Sequence, residues 1–170
     1  MMIRPARLDD AAGIAAVHVA AWQGAYAGIL PDAYLAGMSR QRQAAHYGAR
    51  IAHGPGVFVA AAPAVVAGFA TAGRPRTTGL GDGEVETLYV LDDWRDQGLG
   101  RGLLRAAAAH LHGGGCRSLF LWVLRDNGSR WFYERLGGRE AMRSTVRVAG
   151  APVPQVAYVW DPITLLLERA

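Results

Sequence analysis

A chain of 170 residues, 51% of them apolar, is long enough to bury one substantial core and too apolar to remain disordered. Its formal charge of +4 comes from dispersed arginines, with no lysine and no basic run, so composition gives no support to a nucleic-acid-binding stripe. One cysteine (Cys116) excludes an internal disulfide, and the N-terminus lacks an apolar signal core. The longest apolar stretch, Val57 to Ala72, is interrupted by Pro63 and Gly68 and is too short to span a bilayer. The expectation is a single cytoplasmic domain over residues 1–170 with no nucleic-acid or membrane partner.

In chain order, Met2 to Arg7 reads as a first strand, and Asp9 and Asp10 supply an N-cap with favourable first-turn charge. Ile14, Val17, Ala21 and Trp22 recur at helical spacing, predicting a helix to about Tyr26. Gly28, Pro31 and Asp32 interrupt it. Ala33 to Met38 follows as a short helix, and Ser39 caps another running through Ala52. Gly54-Pro55-Gly56 ends the helical section. Val57 to Ala61 and Val65 to Thr71 then pair as a hairpin about Pro63, and Arg74 to Gly81 forms a loop.

The centre of the chain is Gly83 to Arg105. It opens as a strand in which Glu84, Glu86, Leu88 and Val90 alternate with Val85, Thr87 and Tyr89. A polar elbow follows, then Gly98, Gly100 and Gly102 arrive where a helical pattern of Leu99, Leu103, Leu104, Ala107, Ala108 and Leu111 begins. That helix closes at Gly113-Gly114-Gly115. Ser118 to Leu124 is an apolar run suited to a strand covered on both faces. Ser129 caps a short helix over Arg130 to Leu136, and Arg139 to Val148 with Pro152 to Trp160 makes a closing hairpin. The tail after Asp161-Pro162 carries no assignment. The order β-α-α-β-β-β-α-β-α-β-β predicts an α/β (α+β) fold, with one mixed sheet flanked by helices.

A strand, a glycine turn and a helix start form an anion cradle, because first-turn amides lack intrahelical acceptors and glycine lets an oxygen approach them. A dinucleotide fingerprint fails, since Leu103 stands where its third glycine belongs and no acidic residue lies near Arg117 to Leu119. A nucleotide P-loop fails for want of lysine. The remaining pattern, R-x-x-G-x-G at Arg95, Gly98 and Gly100, resembles the coenzyme A pyrophosphate loop of the GCN5-related N-acetyltransferase (GNAT) superfamily. Downstream, Asn127-Gly-Ser-Arg-Trp-Phe-Tyr-Glu-Arg-Leu-Gly-Gly138 resembles that family's N-x-x-A-x-x-F-Y-E-x-x-G-F segment, with an asparagine-to-tyrosine interval one residue shorter and Gly-Gly in place of Gly-Phe.

The resemblance implies an acyl-CoA N-acyltransferase-like fold, mostly antiparallel, with acetyl-CoA as cofactor and an amine on a small molecule, peptide or protein as acceptor. Cofactor contacts would come from Leu88, Tyr89, Val90, Arg95, Asp96, Gln97, Gly98, Leu99, Gly100, Arg101, Asn127 and Tyr133. The shortened interval keeps Asp126 as a rival to Asn127 at the pantetheine arm. Tyr133 would be the general acid toward the leaving thiolate, and Glu84 or Glu86 the water-mediated base. Helical residues ahead of the sheet would line an acceptor pocket, which singles out Trp22, Tyr26, Tyr34 and Tyr47. Homodimers are common among such proteins, but no segment marks an interface. His110 and His112 sit two apart on a helix and do not converge on a metal. Two other readings remain open: an acetyl-CoA sensor without turnover, and a nucleic-acid-binding protein motivated by the charge.

Overall fold

The structure, a computed structural model, describes residues 1–170. Seven strands, β1 (Met2–Pro5), β2 (Val57–Ala62), β3 (Val65–Gly73), β4 (Gly83–Val90), β5 (Leu119–Leu124), β6 (Arg139–Val148) and β7 (Ala151–Trp160), form one sheet in the order β1-β2-β3-β4-β5-β7-β6. Only β4 and β5 run parallel; the remaining neighbours are antiparallel. Six helices flank it: α1 (Ala11–Ala25), α2 (Asp32–Ala36), α3 (Arg40–His53), α4 (Leu99–Gly113), α5 (Arg130–Arg135) and α6 (Thr164–Arg169). The expected elements therefore hold, the short helix after Pro31 included, with α6 added to them.

The two faces of the sheet carry separate cores. On one, Leu103, Leu104, Ala107, Ala108 and Leu111 of α4 pack on Ala67, Val85, Leu119, Leu121 and Tyr158, with Ile163 and Leu166 closing the layer beside α6. On the other, Ile14 and Val17 of α1 and Tyr47 of α3 pack on Val57, Val59 and Phe69. This division follows from the α4 pattern of leucine and alanine at helical spacing, whose apolar stripe must be covered.

Several local causes differ from the expectations. Asp10 does not cap α1 through its side chain. Its carboxylate accepts from the Arg7 amide at 2.7 Å and from Arg4 at 2.7 and 2.9 Å, so it ties β1 to the turn before the helix. Ser39 does cap α3, its hydroxyl accepting from the Arg42 amide at 3.1 Å, whereas Ser129 makes no such bond at α5. Gly137, left-handed at φ 85°, turns the chain after α5, and a Cβ on Gly138 would lie 2.7 Å from the buried Trp160 ring and 3.0 Å from the Tyr133 carbonyl. The two glycines of the motif thus have separate causes.

The feature that positions the site is a parting of strands. β4 and β5 pair only at Gly83–Leu119 and Glu84–Phe120, then diverge, while β5 stays paired with β7 along its length and β4 with β3 on either side of a bulge. Along β4 the register with β3 shifts between Thr87 and Val85, leaving Glu86 as an extra residue. Such a bulge increases local twist and turns the strand away from its neighbour. It also breaks the simple alternation. Leu88 and Val90 pack with Val85 against the α4 core, and Tyr89 joins the α1–α3 side. Glu84 and Glu86 thus do not share a face with Leu88 and Val90, as strict alternation required.

Candidate active site

The Leu91 amide donates to the Ala67 carbonyl on β3. Amides two apart in a strand point the same way, so those of Leu88 and Val90 face the opening beside β5. At the C-terminal end of that opening stands the glycine turn. Asp96 (φ 59°) and Gly98 (φ 76°) are both left-handed, which bends the chain so that consecutive amides converge. The amides of residues 96–101 donate to no protein acceptor, and the first helical bond of α4 runs from Gly102 to the Gly98 carbonyl at 3.0 Å. Six free donors at the positive end of a 15-residue helix form a site for a multiply charged anion.

The three glycines have different reasons. A Cβ on Gly98 would meet nothing within 4 Å, but the backbone there is left-handed. A Cβ on Gly100 would find only ordinary contact, 3.8 Å from the Phe132 ring and 3.9 Å from Val90. Packing thus leaves room for a side chain at Gly100, on the same turn as the free amides. Gly102 is a packing glycine: a Cβ would run into the side chain of Ile3. Around the turn, Arg95 pairs with Asp92 at 2.8 Å in solvent, and Arg101 is exposed.

Across the opening, α5 presents Tyr133, which packs against Phe132, Tyr158 and Trp160. Its hydroxyl makes no hydrogen bond within the protein. Burial, reinforced by the nearby Tyr89 phenol, raises its pKa well above that of a free tyrosine, so it holds its proton throughout the physiological range. Asn127 accepts from the Ser129 amide at 2.9 Å, which fixes its side chain in the turn before α5 and leaves its amide nitrogen free. Asp126 instead points to solvent and pairs with the adjacent Arg125 at 3.2 Å. Of the two, Asn127 alone keeps an unpaired side-chain donor.

On the opposite face, aromatic residues form a stack. The rings of Trp22 and Tyr26 stand 4.5 Å apart, and those of His18 and Trp22 5.5 Å apart, with Tyr89 edge-on to His18 at 5.9 Å. The Tyr47 hydroxyl meets Nδ1 of His18 at 2.7 Å. Burial pushes Tyr26 up to about 12 and also raises Tyr47 and Tyr89. Three of the four expected pocket aromatics thus assemble, Tyr47 through His18. Tyr34 does not: it is 45% exposed on α2 and stacks on no ring. Tyr89, expected at the cofactor, places its side chain in this stack. His18 escaped the sequence reading because a lone histidine on an apolar helix face carries no distinguishing signal.

His18 is 8% exposed, and burial lowers its pKa from 6.5 to about 4. The folded protein keeps it neutral to about pH 4, whereas the unfolded chain takes a proton near 6.5. Between these values the unfolded state binds the extra proton, so stability falls as pH falls, by up to about 1.4 kcal/mol per pH unit. Urea unfolding at pH 7 and pH 5 should show a smaller decline in His18→Gln than in the parent. Equal declines would remove His18 from the account.

The two glutamates part company. Glu84 is fully buried and saturated by Arg76: the Arg76 amide donates to it at 2.8 Å and the guanidinium at 2.7 and 3.2 Å. It is an anchor for the β3–β4 loop and has no open path to an acceptor. Glu86, at the bulge, is partly exposed and has only a loose partner, Arg50 at 3.8 Å. Replacing Arg76 by Met would remove the guanidinium and leave the Glu84 carboxylate only the backbone amide of residue 76, which should cost about 2 kcal/mol. Denaturant midpoints check this, and a loss within 0.5 kcal/mol, about what an ordinary surface change causes, would contradict the anchor.

Comparison with known proteins agrees with this architecture. A sequence model of the acetyltransferase (GNAT) family matches residues 19–138. The chain is 33% identical over 166 residues to the uncharacterized N-acetyltransferase YuaI of Bacillus subtilis (strain 168), covering 96% of this chain and 95% of that protein. Among solved structures, an N-acetyltransferase from Staphylococcus aureus Mu50 superposes with a TM-score of 0.74 at 22% identity, covering 94% of this chain and 97% of that one. The yncA structure from Salmonella typhimurium, solved with its cofactor acetyl-CoA, gives 0.72 at 22% identity, covering 95% and 93%. With the family's sequence pattern across most of its length and a relative matched nearly end to end, the chain belongs to the acetyltransferase (GNAT) family.

Proposed function

We propose that the protein transfers an acetyl group from acetyl-CoA to a primary amine by direct attack, with both partners bound at once. The observation that carries this reading is the run of six unpartnered amides at residues 96–101, opening onto the gap between β4 and β5. The diphosphate of coenzyme A fits that donor set in charge and number, and the space at Gly100 lets it approach. The pantetheine arm, itself an amide chain, would add to the unpaired strand edge beside Leu88 and Val90 and meet the free amide of Asn127.

The thioester supplies an activated acetyl group and a thiolate leaving group. The strand amides facing the gap polarise the carbonyl without reorganising, since the sheet already holds them in place. Tyr133, buried and protonated, donates to the departing sulfur. Glu86 takes the amine proton through water, because Glu84 is committed to Arg76. The acceptor enters along Trp22, Tyr26 and Tyr89, where aromatic faces attract a cationic amine.

A thiol-release assay with acetyl-CoA against a panel of primary amines tests the reading directly. Tight cofactor binding with no release for any amine would leave only a binding module. Glu86→Gln should lower kcat by about 10²–10⁴. Parental turnover would assign the base elsewhere.

A further inference from the structure

Five tryptophans occur in the chain, and four of them sit in or against the fold: Trp160 is fully buried, Trp94 packs on the α4 core, and Trp22 and Trp122 are half-buried. Trp131 is different. It is 69% exposed and belongs to neither core. The contacts of α5 define where it stands. Tyr133 and Leu136 face the core. Arg130 and Glu134 turn toward β6 and β7, reaching Tyr158 and Glu140. Phe132 faces the glycine turn, its ring tip 3.8 Å from where a Gly100 Cβ would lie. The remaining outer face holds Trp131 and Arg135, and the Arg135 guanidinium donates to the Trp131 carbonyl at 3.3 Å.

We propose that the Trp131 indole is the stacking platform for the purine base of the cofactor. The inference rests on acetyl-CoA binding at the α4 turn, as proposed above. In that cofactor the base is joined to the diphosphate through a single ribose. A base whose diphosphate sits on the amides of residues 96–101 therefore settles close to that turn. The helix whose Phe132 touches that turn carries, one residue earlier, a large, flat and exposed aromatic surface. An exposed tryptophan is costly to solvate unless a ring covers it, and base–aromatic stacking needs no hydrogen-bond code, only a free π face. Exposed large apolar residues elsewhere, such as Leu8, Ile29 and Met142, lie on elements away from the turn and have no flat face to offer.

The test compares two ligands on the intact protein by calorimetry: coenzyme A and pantetheine 4′-phosphate, which lacks the nucleotide. Trp131→Ala should weaken coenzyme A by about 10- to 100-fold and leave pantetheine 4′-phosphate unchanged. Trp131→Phe should restore most of the loss. Coenzyme A should also quench tryptophan emission in the parent, with most of that quench absent from Trp131→Phe. Because the side chain is exposed, the variants should fold like the parent. An unchanged affinity for coenzyme A, or equal loss for both ligands, would overturn the platform while leaving the cofactor site intact. A parent protein that binds no coenzyme A would overturn both.

Discussion

Gly100→Val should fold with near-parental stability and fail to retain acetyl-CoA. The two halves of that expectation come from different observations. A Cβ at Gly100 meets nothing closer than 3.8 Å, so packing leaves room for it, and valine is a better helix former than the glycine it replaces. The same branched side chain would stand over the free amides of the first turn. Two charge-assisted hydrogen bonds lost, at about 1.5–3 kcal/mol each, would weaken binding by about 10²–10⁴. Calorimetric titration beside a urea melt measures both. Near-parental affinity would place the diphosphate elsewhere, and the enzymatic reading would go with it. Gly102→Val is the instructive contrast. There the loss should appear in the melt, because the new side chain collides with Ile3 of β1.

The second large effect is expected at Tyr133. Tyr133→Phe removes one oxygen from a side chain whose ring already packs with Phe132, Tyr158 and Trp160 and whose hydroxyl bonds to nothing in the protein. Stability should therefore hold, and cofactor affinity should change little. Turnover should fall by about 10²–10⁴ if the hydroxyl protonates the thiolate. The pH profile adds a second reading. Burial raises the pKa of this phenol, so the basic limb of kcat should lie well above the range of an ordinary tyrosine. Unchanged turnover would strip Tyr133 of the acid role and leave it as packing.

Parts of this site were legible in the residues and parts were not. The glycine turn was legible because its signal is local: a strand, left-handed positions and a helix start follow one another within a few residues. The segment from Asn127 to Tyr133 carried its resemblance for the same reason, its residues lying six apart in one stretch of chain. The difference in surroundings between Glu84 and Glu86 was not. It depends on Arg76, eight residues from Glu84 across a loop, and on a one-residue bulge against β3 that no alternation pattern announces. His18 was invisible because its partner Tyr47 lies 29 residues away on another helix. Likewise α6 lacked a cap and enough length to display a period, and it forms because Ile163 and Leu166 find the α4 layer.

What the chain alone determined is whatever short-range sterics and hydrophobic period decide: the strands, the principal helices, and a glycine turn at the start of α4. Tertiary structure decided which strands part and which carboxylate pairs with an arginine. It also decided which aromatics share a pocket. Those outcomes rest on contacts between residues distant in sequence, whose free energy exists only once the sheet has brought them together.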